Sequence, residues 1–320
     1  MLMNLNEVTK LIEEGRLLHI AGSEDALRKL PKGNWMGGST EYFMSDLEGG
    51  KISADELFVR ELNAKNFSIK AYDVSNISQV ATDAYDNGFS LVVVPFDSEV
   101  HKYYAEHAAE FEDMFMKQIA GWVAGYNLNK ADACAITVDG TSLSFFKDKA
   151  MAMHIEVEAD KNVTLNIINI FEQDDKAPLI EFKEEGFSVK IAIVDGKEVN
   201  FAKYLEENKI DTKLPLVGEY AGNGINVSIK DIEDGVVQLY APVFSGIEYR
   251  FAKAIPDYEK EFHDKLAEHQ ESEIFACNCI LNFLYGDLEG KKLEKFEGPI
   301  TFGEIAYQLV NQTLVYLVVE

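Results

Sequence analysis

Only three cysteines, Cys134, Cys277 and Cys279, occur in 320 residues. So sparse and odd a number excludes a disulfide framework and fits a reduced, cytoplasmic protein. Basic charge is also scarce, with 30 Lys and Arg against 55 Asp and Glu and a formal net charge of −25. That balance speaks against nucleic acid, since neutralising phosphates takes clustered Lys and Arg, and against an anionic membrane surface. Long apolar runs are missing too. Leu91 to Phe96 and Leu314 to Val319 are strand-sized, far below the roughly 20 residues of a membrane span, and the first residues lack the basic and apolar regions of a signal peptide. The hydrophobic fraction is nevertheless 47%, ample for a packed core, so disorder is not the reading.

Helical spacing of Leu5, Val8, Leu11 and Ile12, with Gly15 as a stop, predicts a first helix. A strand over Leu17 to Ala21 and a short helix capped by Ser23 follow. Gly33 to Thr40 is too rich in glycine for a helix and reads as a loop where another group approaches closely. Phe67 to Asp73 and Phe89 to Pro95 read as strands, and Asn76 to Asn87 as a helix. A helix capped at Asp97 or Ser98 is expected to carry Val100, Tyr103, Tyr104, His107, Ala108, Phe111, Met114 and Phe115 on its apolar stripe.

Beyond Ala131 the pattern changes to alternating runs separated by Asp-Gly pairs, the strongest short-range hairpin signal. Ala133 to Val138 with Thr141 to Phe146 is one expected hairpin, and Ile225 to Ile229 with Val236 to Pro242 another. The fold class expected is α+β, with antiparallel and mixed sheets flanked by helices. Gly88 to Pro95 resembles Gly235 to Pro242, and His101 to His107 resembles His263 to His269. These likenesses suggest two related halves.

Phosphate-binding loops, nucleophile elbows and zinc-protease motifs are all absent. The two His-x5-His pairs fail as metal sites, because six helical residues turn the second imidazole about 120° from the first. His107 and His269 are expected at the edge of the core. Cys277-Asn278-Cys279 lies in an apolar run, Ile274 to Tyr285, that reads as one strand with both sulfurs on one face. No metal ligand set emerges.

Specific information is concentrated near the end of the chain. Gly298-Pro299-Ile300-Thr301-Phe302-Gly303-Glu304-Ile305, followed by Asn311-Gln312-Thr313-Leu314, resembles the closing pattern of the FIST sensory domain. Phe275-Ala276-Cys277-Asn278 looks like that family's Phe-x-Cys strand, although Ile280 stands where the family commonly has Arg. Gly37-Gly38-Ser39-Thr40, Ala120 to Gly125, Ala202 to Tyr204, Leu214 to Leu216 and Ser245-Gly246 continue the resemblance in order. It implies an N-terminal portion, residues 1–196, and a C-terminal one, residues 197–320.

The resemblance also implies a cytoplasmic sensor of a small, amino-acid-like molecule, acting through a separate signalling protein such as a kinase or cyclase. The ligand-binding residues expected on this basis are Gly37, Gly38, Ser39, Thr40, Trp122, Gly125, Cys277, Thr301, Gly303 and Glu304. Glycines would let backbone N–H groups approach a ligand. The hydroxyls would hydrogen-bond it, and Glu304 would receive an ammonium. No cofactor is expected. The alternatives are a haem-based nitric-oxide sensor, which some relatives suggest, and a hydrolase with Ser39 or Thr40 as nucleophile.

Overall fold

The computed structural model describes residues 1–220, 223–267, 273–293 and 296–320. Its described residues form mostly strands, with a few helices packed on them. This is an α+β arrangement of mixed and antiparallel sheets.

Among the described residues, three six-stranded sheets carry the fold. In the first, Leu18–Gly22 pairs parallel with Trp35–Ser39 and antiparallel with Leu57–Glu61. Thr137–Asp139 adds to Trp35–Ser39 and folds back onto Ser144–Phe146 through the loop Gly140 to Leu143, so the expected hairpin forms, with shorter strands and a longer turn than the Asp139-Gly140 pair suggests. The first helix, Leu5–Glu13, opens with a capping box between Asn4 and Glu7 and buries Val8 and Ile12. Together with Glu24–Leu27, capped by Ser23, it covers the outer face of this sheet around Leu18, Ile20 and Val59.

In the second sheet, Gly88–Pro95 runs parallel to Gln118–Ala124, the two joined across the helix Glu99–His107. Ala150–Glu156 pairs antiparallel with Gly88–Pro95 on one side and with Asn66–Tyr72 on the other. The third sheet sets Glu273–Cys279 between Thr313–Val319 and Gly298–Thr301, and Tyr42–Ser45 pairs with the latter. Strands from both sides of residue 196 therefore share sheets. Glu304–Ala306 pairs with Gln118–Ala124, placing Glu304 beside Trp122.

Strand alternation sends side chains from all three sheets into one apolar core. Met36 and Phe58 come from the first sheet, Leu91, Val93, Trp122 and Met153 from the second, Phe275, Cys277, Val315 and Leu317 from the third. Residues Ile180 to Phe251 form a smaller body with its own core, built on three-stranded sheets and the helix Phe201–Glu207.

Several local expectations change. Gly33 to Thr40 is not a loop, since Trp35–Ser39 is a buried strand. At Gly37 a Cβ would lie 1.9 Å from the Ile20 carbonyl oxygen, so glycine is what allows the neighbouring strand so close. Asn76 to Asn87 holds only the short 3-10 turn Ile77–Gln79. Asp73 and Asn76 engage nearby backbone N–H groups there, the competition that disfavours helix.

The helix after Ser98 ends at His107 and buries Val100, His101, Tyr104 and Ala105, so its stripe is narrower and rotated. His107 is half-exposed and faces Glu110 at 3.6 Å; His269 lies outside the described residues. Asn223–Val227 pairs with Leu216–Tyr220, and Ile229–Glu233 is the partner of Val236–Val243 across Asp234-Gly235. The Cys277 strand stops at Cys279, and Ile280–Tyr285 is helical. Both cysteines precede that break, two positions apart in one strand, and both thiols have their pKa raised by burial beside the Glu304 carboxyl, as expected of one face.

Candidate functional site

Three chain segments expected to bind ligand are the places where the backbone leaves one sheet for another. Ser39 ends a strand of the first sheet, and Tyr42 begins one of the third. Thr301 ends a strand of the third sheet and Glu304 starts one of the second, while Gly125 follows the end of Gln118–Ala124. These crossings meet at one corner.

Hydrogen bonds stitch the corner together. Ser39 Oγ donates to the Gly125 carbonyl at 2.7 Å and accepts from the Ile136 N–H at 2.9 Å. The Gly125 N–H donates back to the Ser39 carbonyl at 2.7 Å. Thr40 Oγ1 donates to the Ile300 carbonyl at 2.8 Å and accepts from the Tyr42 N–H at 3.2 Å. Phe302 closes the contact, because a Cβ on Gly125 would lie 2.2 Å from its ring.

A cleft of about 250 Å³ opens beside this corner. Ser39, Thr40 and Gly125 form its buried floor. Asp25, Lys130, Asp132 and Lys147 stand exposed around it, with Cys134 half-buried. Lys130 is drawn to the buried Glu41 carboxylate at 2.5 Å, which Asn127 also holds at 2.8 Å. Lys147 lies against the Cys134 sulfur, a contact that raises its pKa. Both signs of charge thus face one small cavity, over a floor whose hydroxyls are already engaged.

The other expected ligand residues do not line this cleft. Trp122, Cys277, Thr301 and Glu304 are fully buried, and Gly303 is buried with them. Gly38 is packed against Val93, Ala124 and Trp122. Trp122 Nε1 donates to His19 Nε2 at 3.0 Å, and Cys277 Sγ donates to the Gly121 carbonyl at 3.4 Å.

Glu304 is not a surface anion awaiting an ammonium. Burial pushes its pKa up to about 8, against the opposing pull of hydrogen bonds from Thr313 and Thr301. Its Oε2 accepts from Thr313 Oγ1 at 2.8 Å and from the Thr313 N–H at 3.3 Å. Oε1 lies 3.1 Å from Thr301 Oγ1, which also reaches the Asn278 carbonyl at 3.3 Å. The Thr301 hydroxyl has one proton to share between Oε1 and the Asn278 carbonyl, and the Cys279 thiol also hydrogen-bonds the carboxyl. The acid ties the third sheet to the second.

A second polar constellation has no motif in the sequence. Ser90 Oγ lies 2.7 Å from His154 Nδ1, and His154 Nε2 lies 2.8 Å from the Tyr72 hydroxyl. That hydroxyl donates to Asp83 Oδ2 at 2.8 Å, where Lys70 also binds. With the Tyr72 proton committed to Asp83, Nε2 must carry the imidazole proton and Nδ1 must accept from Ser90. The order of groups resembles a nucleophile, base and acid relay. Ser90 is nevertheless fully buried, and a tyrosine separates imidazole from carboxylate, so no substrate reaches it. Ala150–Glu156 is covered on both faces through Ile155, so His154 is buried whichever way it points, and no spacing in the sequence marks its partners.

Among the described residues no group of three or more His, Cys, Asp or Glu is placed to hold a metal ion, and no helix is long and apolar enough to cross a membrane. A family profile matches residues 3–320, nearly the whole chain. The chain belongs to DUF6976, a family of unknown function. No curated protein and no solved structure matches this DUF6976 chain significantly. Its site is therefore read from its own geometry.

Proposed function

We propose that the chain is a small-molecule-binding sensory protein of the FIST type, cytoplasmic, taking an amino-acid-like ligand in the cleft beside Ser39, Thr40 and Gly125. The observation that carries this reading is the cleft itself. Exposed carboxylates at Asp25 and Asp132 and an ammonium at Lys147 face one 250 Å³ cavity over a small-residue floor. A zwitterion presents both complementary charges within a few ångströms, and the cavity lies just below the usual size of small-ligand pockets. In this proposal Ser39, Thr40 and Gly125 shape the floor, and the rim charges bind. Signalling through a separate kinase or cyclase, and a division into portions 1–196 and 197–320 that share sheets and fold together, belong to the same proposal.

The hydrolase alternative finds little support. The protons of Ser39 and Thr40 are both directed at backbone carbonyls, not at a side-chain base. The haem alternative finds no histidine lining this cleft.

Thermal unfolding of the chain against the free amino acids tests the proposal. A ligand at 100 times its Kd should add about 2.7 kcal/mol of stability, and both Lys147→Gln and Asp25→Asn should diminish the shift. Absence of stabilisation by any amino acid, or shifts indifferent to both substitutions, would overturn it.

A further inference from the structure

At the other end of the second sheet, where Phe89 lies near the start of one strand and Val157 follows another, lies a second cleft of about 360 Å³. All three sheets contribute to it. Leu62 follows the end of Leu57–Glu61, and Ile274 and Val319 lie near the ends of paired strands of the third sheet. Leu62, Phe89 and Val157 belong to the three-sheet core, with Ile274 and Val319 packed against it. The cleft therefore opens directly onto apolar side chains.

Its rim carries Glu61, Lys65, Glu158 and Lys161, of which Glu61 and Lys65 are held in ion pairs. Lys65 Nζ is held by Glu156 at 2.6 Å, and Arg16 holds Glu61 at 2.9 Å. Glu158 acts on Lys65 as well. Lys161, one turn on from Glu158, lines the cleft and makes no ion pair with a described residue. We propose that this cleft binds a small aliphatic carboxylate, its tail against Leu62, Phe89 and Val157 and its head at Lys161 Nζ. The apolar floor offers no partner for a polar tail, and burying an unpaired polar group there would be costly. The free ammonium selects an anionic head over a neutral one.

Isothermal titration of the full chain with hexanoate, octanoate and decanoate, below their micellar concentrations, tests this. Affinity should rise about three- to fourfold per methylene until the cleft is filled. Lys161→Gln should weaken octanoate while leaving 1-octanol unchanged, since the exposed side chain supports no packing. Ala64→Trp, at the partly exposed rim, should block both ligands. Lys147→Gln at the Ser39 cleft should alter neither, which separates failure here from failure of the amino-acid reading. No saturable binding, equal affinity for octanoate and octanol, or indifference to both Lys161→Gln and Ala64→Trp would overturn the proposal.

Discussion

Glu304 shows how far a residue's surroundings decide its chemistry. Its ordinary carboxyl pKa of 4.5 rises to about 8 in the fold, so the native state binds a proton that the unfolded chain has released between those values. Stability from this group is therefore greatest at acid pH and declines as pH rises from about 4.5 to about 8. The slope approaches about 1.4 kcal/mol per pH unit within that window. Glu304→Gln keeps the shape and one donor, and should remove the slope. Urea unfolding of both proteins at pH 5, 7 and 9 should show their stability difference shifting in favour of the variant as pH rises; parallel curves would refute the assignment. The buried histidines act with the opposite sign. Burial lowers His154 and His101 to about 4 and His19 to about 3, so their contribution is present above about 6.5 and is lost as pH falls through the lowered values.

Elements meet at the crossings, and there glycine decides what can approach. Gly125 follows a strand of the second sheet with Phe302 where its side chain would be, and Phe302 in turn packs on Phe96 and Tyr126 at ring distances of 5.2 and 5.1 Å. Gly125→Ala must displace that ring and disturb the bond to Ser39. It should cost on the order of 2–3 kcal/mol, read as a lower denaturation midpoint with an unchanged m-value. A loss below about 0.5 kcal/mol would mean that the aromatic cluster adjusts freely. Ser39→Ala removes the hydroxyl that both donates to Gly125 and accepts from Ile136, leaving two buried backbone groups short of a partner.

At the scale of the molecule the three large sheets are shared between early and late chain. Glu304–Ala306 completes the second sheet and Tyr42–Ser45 completes the third, each by pairing with strands more than a hundred residues away. A fragment of residues 1–196 lacks Phe275, Cys277, Val315 and Leu317, which fill the common core. We expect it to show no cooperative unfolding transition and weak amide dispersion in NMR spectra. A fragment that unfolds cooperatively would establish an independent N-terminal unit. The body from Ile180 to Phe251 has a separate core, and its amides should exchange as a group distinct from those of the large sheets.

Local chemistry in the sequence was sufficient for those features that depend on neighbours along the chain. The capping box at Asn4 and Glu7, the Ser23 and Ser98 caps, the buried run of Gly88–Pro95 and the hairpin at Asp139-Gly140 all follow from residues a few positions apart. The α+β class follows from the same signals. Where distant partners compete, local reading failed. Glycines that suggest a loop over Gly33 to Thr40 instead permit a strand to lie tightly against Ile20, and the apolar run after Cys279 curls into a helix.

Of the candidate site, the sequence pointed to Ser39, Thr40 and Gly125, which the fold gathers at one cleft. It also pointed to Thr301 and Glu304, which the fold buries as structural ties. Short polar side chains look alike in sequence whether they face water or a neighbouring carbonyl. Burial and partners supplied by other segments separate the two cases, and they also create the Ser90, His154, Tyr72 and Asp83 chain, which has no spacing of its own. Propensity, capping and alternation act over a few residues and are encoded locally; exposure and protonation depend on which strands pack together, and only the tertiary structure decides that.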